Sequence, residues 1–207
     1  MVQTSNPPET AGLAAERNWG IFGRGRTHSV IKKILIGLVV LVAVLVAIVS
    51  LQPAQFRVER STTVSAPAET VFAQVNNFRN WDAWSPWAKM DPDAKFSFEG
   101  PESGVGAIFR WSGNDKIGEG SNTITESVPG ERVRINLVFI RPFEDTSTAE
   151  FTFKPEGENT VVTWSMFGEN NFISKAFCLF MDMDKMVGGD FEKGLASLKA
   201  VAESAKN

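Results

Sequence analysis

The chain has 207 residues, a net charge of −3 and 43% apolar side chains. Its only histidine, His28, precedes the main domain, its only cysteine is Cys178, and tyrosine is absent. The domain therefore has no Ser-His-Asp or Cys-His relay, no zinc site of His and Cys ligands and no internal disulfide. Charge is uneven: residues 1–55 carry five Lys and Arg against two Glu, and the remainder stands at −6. An acidic domain without a basic stripe excludes nucleic acid as a partner.

Residues 1–30, with Asn6-Pro7-Pro8 and scattered Gly and Arg, show no sustained apolar period and read as a flexible tail. Trp19, Ile21 and Phe22 are its apolar exception, suited to a lipid interface. Ile34–Leu51 is then an 18-residue run without charge, about 27 Å as a helix and close to a bilayer core of roughly 30 Å. The run is apolar all round, unlike a buried amphipathic helix, and VSLQPAQ offers no small-x-small cleavage site. A single transmembrane helix is expected over 31–52. Arg17, Arg24, Arg26, Lys32 and Lys33 precede it, which predicts a cytoplasmic N-terminus and an extracytoplasmic C-terminal domain, periplasmic in a Gram-negative cell. Gly37 is the only glycine in the run, so no GxxxG seam exists. Residues 53–55 remain as linker, which holds the domain close to the lipid.

The domain, residues 56–205, opens with a strand, FRVERSTTV. Ser65 as cap, Pro67 in the first turn and Glu69 near the helix N-terminus predict a helix with Val71, Phe72 and Val75 buried. WDAWSPW follows; Trp81 and Trp84 share a helical face and pack on a sheet or cap a pocket mouth, and Pro86 turns the chain before Trp87. From residue 95 the period becomes two. KFSFEG, AIFRWSG, SNTITES, RVRINLVFI, TAEFTFKP and TVVTWSMFG are six strands, most separated by Gly- or Pro-bearing turns, which predicts an antiparallel meander. Cys178, in KAFCLFM, reads as a small buried hydrophobe. Met183, Val187, Phe191, Leu195, Leu198 and Ala202 recur at helical spacing in a long final helix. Gly188 and Gly189 interrupt it at about 1 kcal/mol each, through a close approach of ligand or strand, or through a break between two helices.

SAPAETVFAQVNNFRNWDAWSPW, FEGPESGVGAIFRWSG, GEGSNTITESVPGERV, NTVVTWSMFG and GGDFEKGLASLK, in this order, resemble the polyketide cyclase/dehydrase and lipid-transport family of the SRPBCC (START-like, Bet v 1-like) superfamily. The resemblance covers residues 56–205. It implies an α+β helix-grip fold, an antiparallel sheet wrapped on the long C-terminal helix with a cavity between them. Members carry lipids, bind hormones, cyclise polyketides or dock proteins, so the fold does not choose the function.

Alternation would line such a cavity with Phe109, Trp111, Leu137, Phe139, Phe151, Phe153, Trp164 and Met166, faced by Met183, Val187 and Phe191. Aromatic faces also build filled cores, and both arrangements remain open at this point. Arg110, Glu126, Arg134 and Glu150 fall on the opposite face, where cross-strand charge pairing is expected. Glu119, Arg141, Asp145 and Glu169 lie near strand ends, where a cavity mouth would be. No pair has a spacing that demands acid/base work, so no catalytic residue, metal ligand or cofactor is assigned. The reading that follows is a membrane-anchored domain binding an apolar or amphipathic small molecule or lipid. A cyclase- or dehydratase-like enzyme and an envelope protein-interaction module are the alternatives.

Overall fold

A computed structural model of the chain describes residues 24–179 and 182–205. The chain divides into two compact units, Met1–Ala47 and Ile48–Asn207. Helix α1 (Arg24–Ser50) starts seven residues before the expected membrane helix. Within it, Ser29–Ser50 has a mean hydropathy of 2.9 over its most apolar window and is long and apolar enough to cross a membrane. From Ser29 to Ser50 its side chains are exposed except at Val49. Trp19, Ile21 and Phe22 and the rest of the tail up to residue 23, like the Cys178 side chain, lie outside the described residues.

Seven antiparallel strands form one sheet: β1 (Gln55–Val64), β2 (Lys95–Glu99), β3 (Ile108–Ser112), β4 (Glu119–Val128), β5 (Arg132–Arg141), β6 (Asp145–Glu156) and β7 (Asn159–Glu169). Their order is β1-β7-β6-β5-β4-β3-β2, so the last six strands are the expected meander and the first closes against the last. One face carries Val58, Val64, Ile135, Phe151, Phe153, Val162 and Trp164, all buried. The other carries Arg134 against Glu150 and Glu126 against Arg132 and Arg134, with Arg110 against Glu99, the cross-strand pairing that alternation predicts.

On the apolar face sit α2 (Ala68–Asn76) and a 3₁₀ turn, Phe78–Ala83. Val71, Phe72 and Val75 are buried as expected. Ser65 does not cap α2: Pro67 occupies the N-cap position without a side-chain bond, and the Ser65 N–H instead donates to Glu203 Oε1 at 2.7 Å. Trp81 and Trp84 are buried, and their indole N–H groups donate to the Val75 and Gln74 carbonyls. Those carbonyls belong to the last turn of α2 and have no partner within the helix, so the two indoles fasten the helix end while filling the core.

Two helices close the chain. The sequence pattern gave no sign of α3 (Phe172–Cys178), whose Asn171 side chain accepts from the Ser174 N–H at 2.8 Å. The long helix α4 (Met183–Ser204) is capped by Asp182 and packs chiefly along β1, with smaller contacts to β7, α2 and the 3₁₀ turn. Gly188 and Gly189 do not break it. The reason for Gly188 is a strand side chain: a Cβ there would overlap the guanidinium of Arg60 on β1. Arg60 bridges Asp184 at 2.9 Å and Glu192 at 2.7 Å, which ties β1 to the first half of α4. No neighbour comes near a Cβ at Gly189.

Candidate ligand site

The eleven cavity residues expected from alternation divide into two groups. Phe151, Phe153, Trp164, Met166 and Phe191 are buried in the main core. The Trp164 ring lies between Phe151 at 4.8 Å and Phe191 at 4.0 Å, the latter within 8° of parallel. Trp84 and Trp87 meet Trp164 edge-on. Here the rings face one another and fill the space between sheet, α2 and α4. The Trp164 indole N–H is buried in this stack without a hydrogen-bond partner.

The second group is Phe109, Trp111, Leu137 and Phe139 on the strands, with Met183 and Val187 at the start of α4. Phe109 and Leu137 are only partly buried against the core, as is Val187 of α4. Trp111, Phe139 and Met183 are half-buried. The rings form a continuous row across β2, β3 and β5. Phe96 and Phe98 pack on Phe109 at 5.5 and 5.3 Å, Phe109 on Trp111 at 6.0 Å, and Trp111 edge-on to Phe139 at 5.9 Å. Phe96 and Phe98 remain 44% and 38% exposed, a large apolar surface to leave facing water. At the β2 end the Arg79 guanidinium lies over Phe98, 4.5 Å from the ring centre.

The row is held in place. Trp111 donates its indole N–H to the Ile117 carbonyl at 2.9 Å, and its six-membered ring lies over Gly120, where a Cβ would meet Cζ2 at 2.5 Å. Two polar residues interrupt this face. Asn122 pairs across the sheet with Phe109 and Leu137, is buried, and makes no side-chain hydrogen bond among the described residues. Ser147, opposite Leu137 and also buried, donates to Asp145 Oδ2 at 3.1 Å. Both stand at inward positions of the alternation, a signal present in the sequence at sites occupied in neighbouring strands by large apolar residues.

The face opens at one end into a groove of about 580 Å³. Phe139 and Ile140 of β5, Asp145 and Thr146 of β6, Glu144 between them, Glu169 at the end of β7, and Asn170 and Asn171 after it line the groove. The β6–β7 ladder stops at Thr148 and Phe167, short of both strand ends, which separates the two strands there. Of the four charged residues expected near a cavity mouth, Asp145 and Glu169 line the groove, whereas Glu119 and Arg141 pair with each other at 3.1 Å. Among the described residues no group of three or more His, Cys, Asp or Glu stands close enough to hold a metal ion. Shifted carboxylates lie elsewhere: through hydrogen bonds Arg60 holds Asp184 below the ordinary carboxylate value, Lys185 does the same to Asp182, and Arg132 does so to Glu126 on the outer face of the sheet.

Solved structures share this architecture at low identity, which establishes the fold. The solution structure of the Aha1 dimer from Colwellia psychrerythraea is 15% identical, with a TM-score of 0.54 over 73% of this chain and 99% of that one. A Staphylococcus aureus protein of unknown function, SA2116, is 13% identical, with a TM-score of 0.56 over 73% and 96% of the two chains. The di-domain ARO/CYC StfQ from the steffimycin biosynthetic pathway is 12% identical, with a TM-score of 0.54 over 74% of this chain and 52% of that one. No curated protein matches the sequence. The family described as polyketide cyclase / dehydrase and lipid transport matches residues 55–203, strand β1 through the last turn of α4, and the chain belongs to that family.

Proposed function

We propose that this protein is a single-pass membrane protein whose domain binds an apolar or amphipathic small molecule, a lipid among the candidates, on the aromatic row of β2, β3 and β5. The observation that carries the reading is the contrast along one sheet face. The half under α4 is filled, while Phe96, Phe98, Phe109, Trp111, Leu137 and Phe139 are left partly open in a row whose last ring, Phe139, lines the groove. An apolar surface with a few convergent polar groups is the ordinary composition of a ligand site. Asn122 and Ser147 supply those groups, and Met183 and Val187 on the first turns of α4 offer adaptable apolar contact. The family's descriptor includes lipid transport, and two ARO/CYC di-domains share the fold, which agrees with a ligand of this class. The anchor spans about residues 31–52, 53–55 form the linker and 56–205 the binding domain. The cationic flank before the anchor supports a cytoplasmic N-terminus and an extracytoplasmic domain.

The test uses the full chain extracted in mild detergent. Native mass spectrometry is expected to find an apolar molecule bound, and an anilinonaphthalene sulfonate probe to bind and be displaced by lipid extract. A chain that arrives ligand-free and gives no probe binding rejects the reading. A second reading, catalysis, is favoured by the carboxylates of Asp145 and Glu169 in the groove. Turnover of a polyketide-like substrate that is lost in Asp145→Asn, with probe binding intact, would select it. The same observation in reverse, binding without turnover, leaves the binding domain.

A further inference from the structure

We propose that α3 and the β5–β6 loop form a lipid-docking face, which lays the groove against the same bilayer that holds the anchor; the proposal rests on the membrane reading above. Phe172, Ile173 and Phe177 of α3 are 51%, 63% and 40% exposed, and Phe143 and Ile140 at the β5–β6 loop 57% and 47%. They belong to one surface: the Phe143 and Phe177 rings stand 6.2 Å apart, and Ile140 and Asn171 line one groove. A contiguous patch of large apolar side chains marks an interaction site.

The covalent path of the chain says what covers it. Asn170, two residues before α3, donates its backbone N–H to the Ala54 carbonyl at 2.8 Å and its side-chain amide to the Pro53 carbonyl at 3.2 Å. Pro53 stands three residues beyond Ser50, the last residue of the apolar helix. Three extended residues reach at most about 10 Å, so the covalent path keeps Asn170 and the start of α3 near the last residue of the apolar helix. An apolar helix face at that distance reaches the lipid interface at a depth of roughly 5–10 Å. The rim carries Glu144, Asp145 and Glu169 beside Arg141 and Lys175, so the attraction is apolar and does not select anionic lipid. A ligand dissolved in the bilayer would then enter the groove without crossing water.

The experiment uses the full chain in vesicles of phosphatidylcholine, with Cys178→Ser, or Cys178→Ala if that folds better, as background. Nitroxide labels are placed at Ile173→Cys, at Phe143→Cys and, as a control on the exposed β6–β7 turn, at Glu158→Cys. Carbonate extraction is run on each sample. Retention in the membrane, with oxygen accessibility relative to a water-soluble nickel chelate about tenfold higher at 173 and 143 than at 158, supports the proposal. Retention with an aqueous profile at all three positions overturns it and leaves the anchor standing. Labels at 173 and 143 shielded from both reagents overturn it in favour of a protein partner, including a second copy. A docking that disappears in 0.5 M salt, or requires phosphatidylglycerol, overturns its apolar basis. Release by carbonate removes the anchor and the docking face together.

Discussion

The two halves of the sheet's inner face are built from the same residue types on the same alternation and end differently. Against α4, Phe151, Trp164 and Phe191 stack into a closed interior. On β2, β3 and β5, Phe96, Phe98, Phe109, Trp111 and Phe139 stack along the sheet, and part of their surface remains uncovered. What differs is the opposing layer. The filled half faces α2, the WDAWSPW segment and α4, whereas the helix contacts run chiefly along β1. An aromatic strand face is thus closed into a core or left partly open according to what lies across from it.

The largest effect that tests this difference is expected at Trp164. Truncation to Ala removes the middle ring of a buried stack and costs about 3–5 kcal/mol, the usual range for a buried Trp or Phe. Thermal melting of the full chain in detergent would register it, and a loss below 1 kcal/mol would mean that the filled half is not tightly packed. Trp111→Ala sharpens the contrast from the other side. It removes a half-buried ring held by the Ile117 carbonyl and by Phe109 and Phe139 on either side. A stability loss of about 1–2 kcal/mol is expected, with probe binding weakened about tenfold, as one lost ring contact implies. Equal stability losses at 111 and 164 would erase the distinction.

Asn122 gives a smaller and opposite effect. Its side chain makes no hydrogen bond among the described residues and its amide atoms keep a small contact with solvent, so an apolar replacement gives up no protein partner. Asn122→Leu is therefore expected to raise the melting stability of the ligand-free chain by up to about 1 kcal/mol. The same change should reduce the preference for hydroxyl- or carbonyl-bearing ligands over plain hydrocarbon, measured by competitive displacement of the probe. A loss of stability would show that the amide is satisfied in solution.

Much of this architecture is legible in the sequence, for a local reason. Strict period-two runs from Lys95 to Gly168, broken by Gly and Pro turns, fix strands and faces without reference to the rest of the chain. What alternation cannot supply is the identity of the opposing layer, so Trp164 and Trp111 look alike on paper. Helix α3 escaped notice because seven residues with three exposed apolar side chains carry no amphipathic period. Ser65 resembled a cap because the local pattern is right, but its N–H is taken by Glu203, 138 positions away. Gly188 likewise looked like an interruption of a helix, and its reason lies in Arg60 on the first strand.

That contact gives the smallest prediction. Arg60 joins β1 to α4 through Asp184 and Glu192, and these exposed pairs contribute little at neutral pH. Their signature is in the pH dependence. The Asp184 carboxyl is held below its ordinary value, first by the hydrogen bond from Arg60. Its contribution is then fully present above the unfolded value, near pH 4, and is lost as pH falls through the lower folded value. Arg60 itself is pushed further up by both carboxylates and stays charged throughout. Arg60→Met should therefore lower the urea midpoint slightly at pH 7 and converge with the native chain once pH falls below the folded Asp184 value, so its acid decline is shallower. The shorter side chain also vacates the space at Gly188, so Gly188→Ala should be better tolerated in the Arg60→Met background than in the native chain. Additive effects of the two substitutions would show that the guanidinium does not rest on the helix.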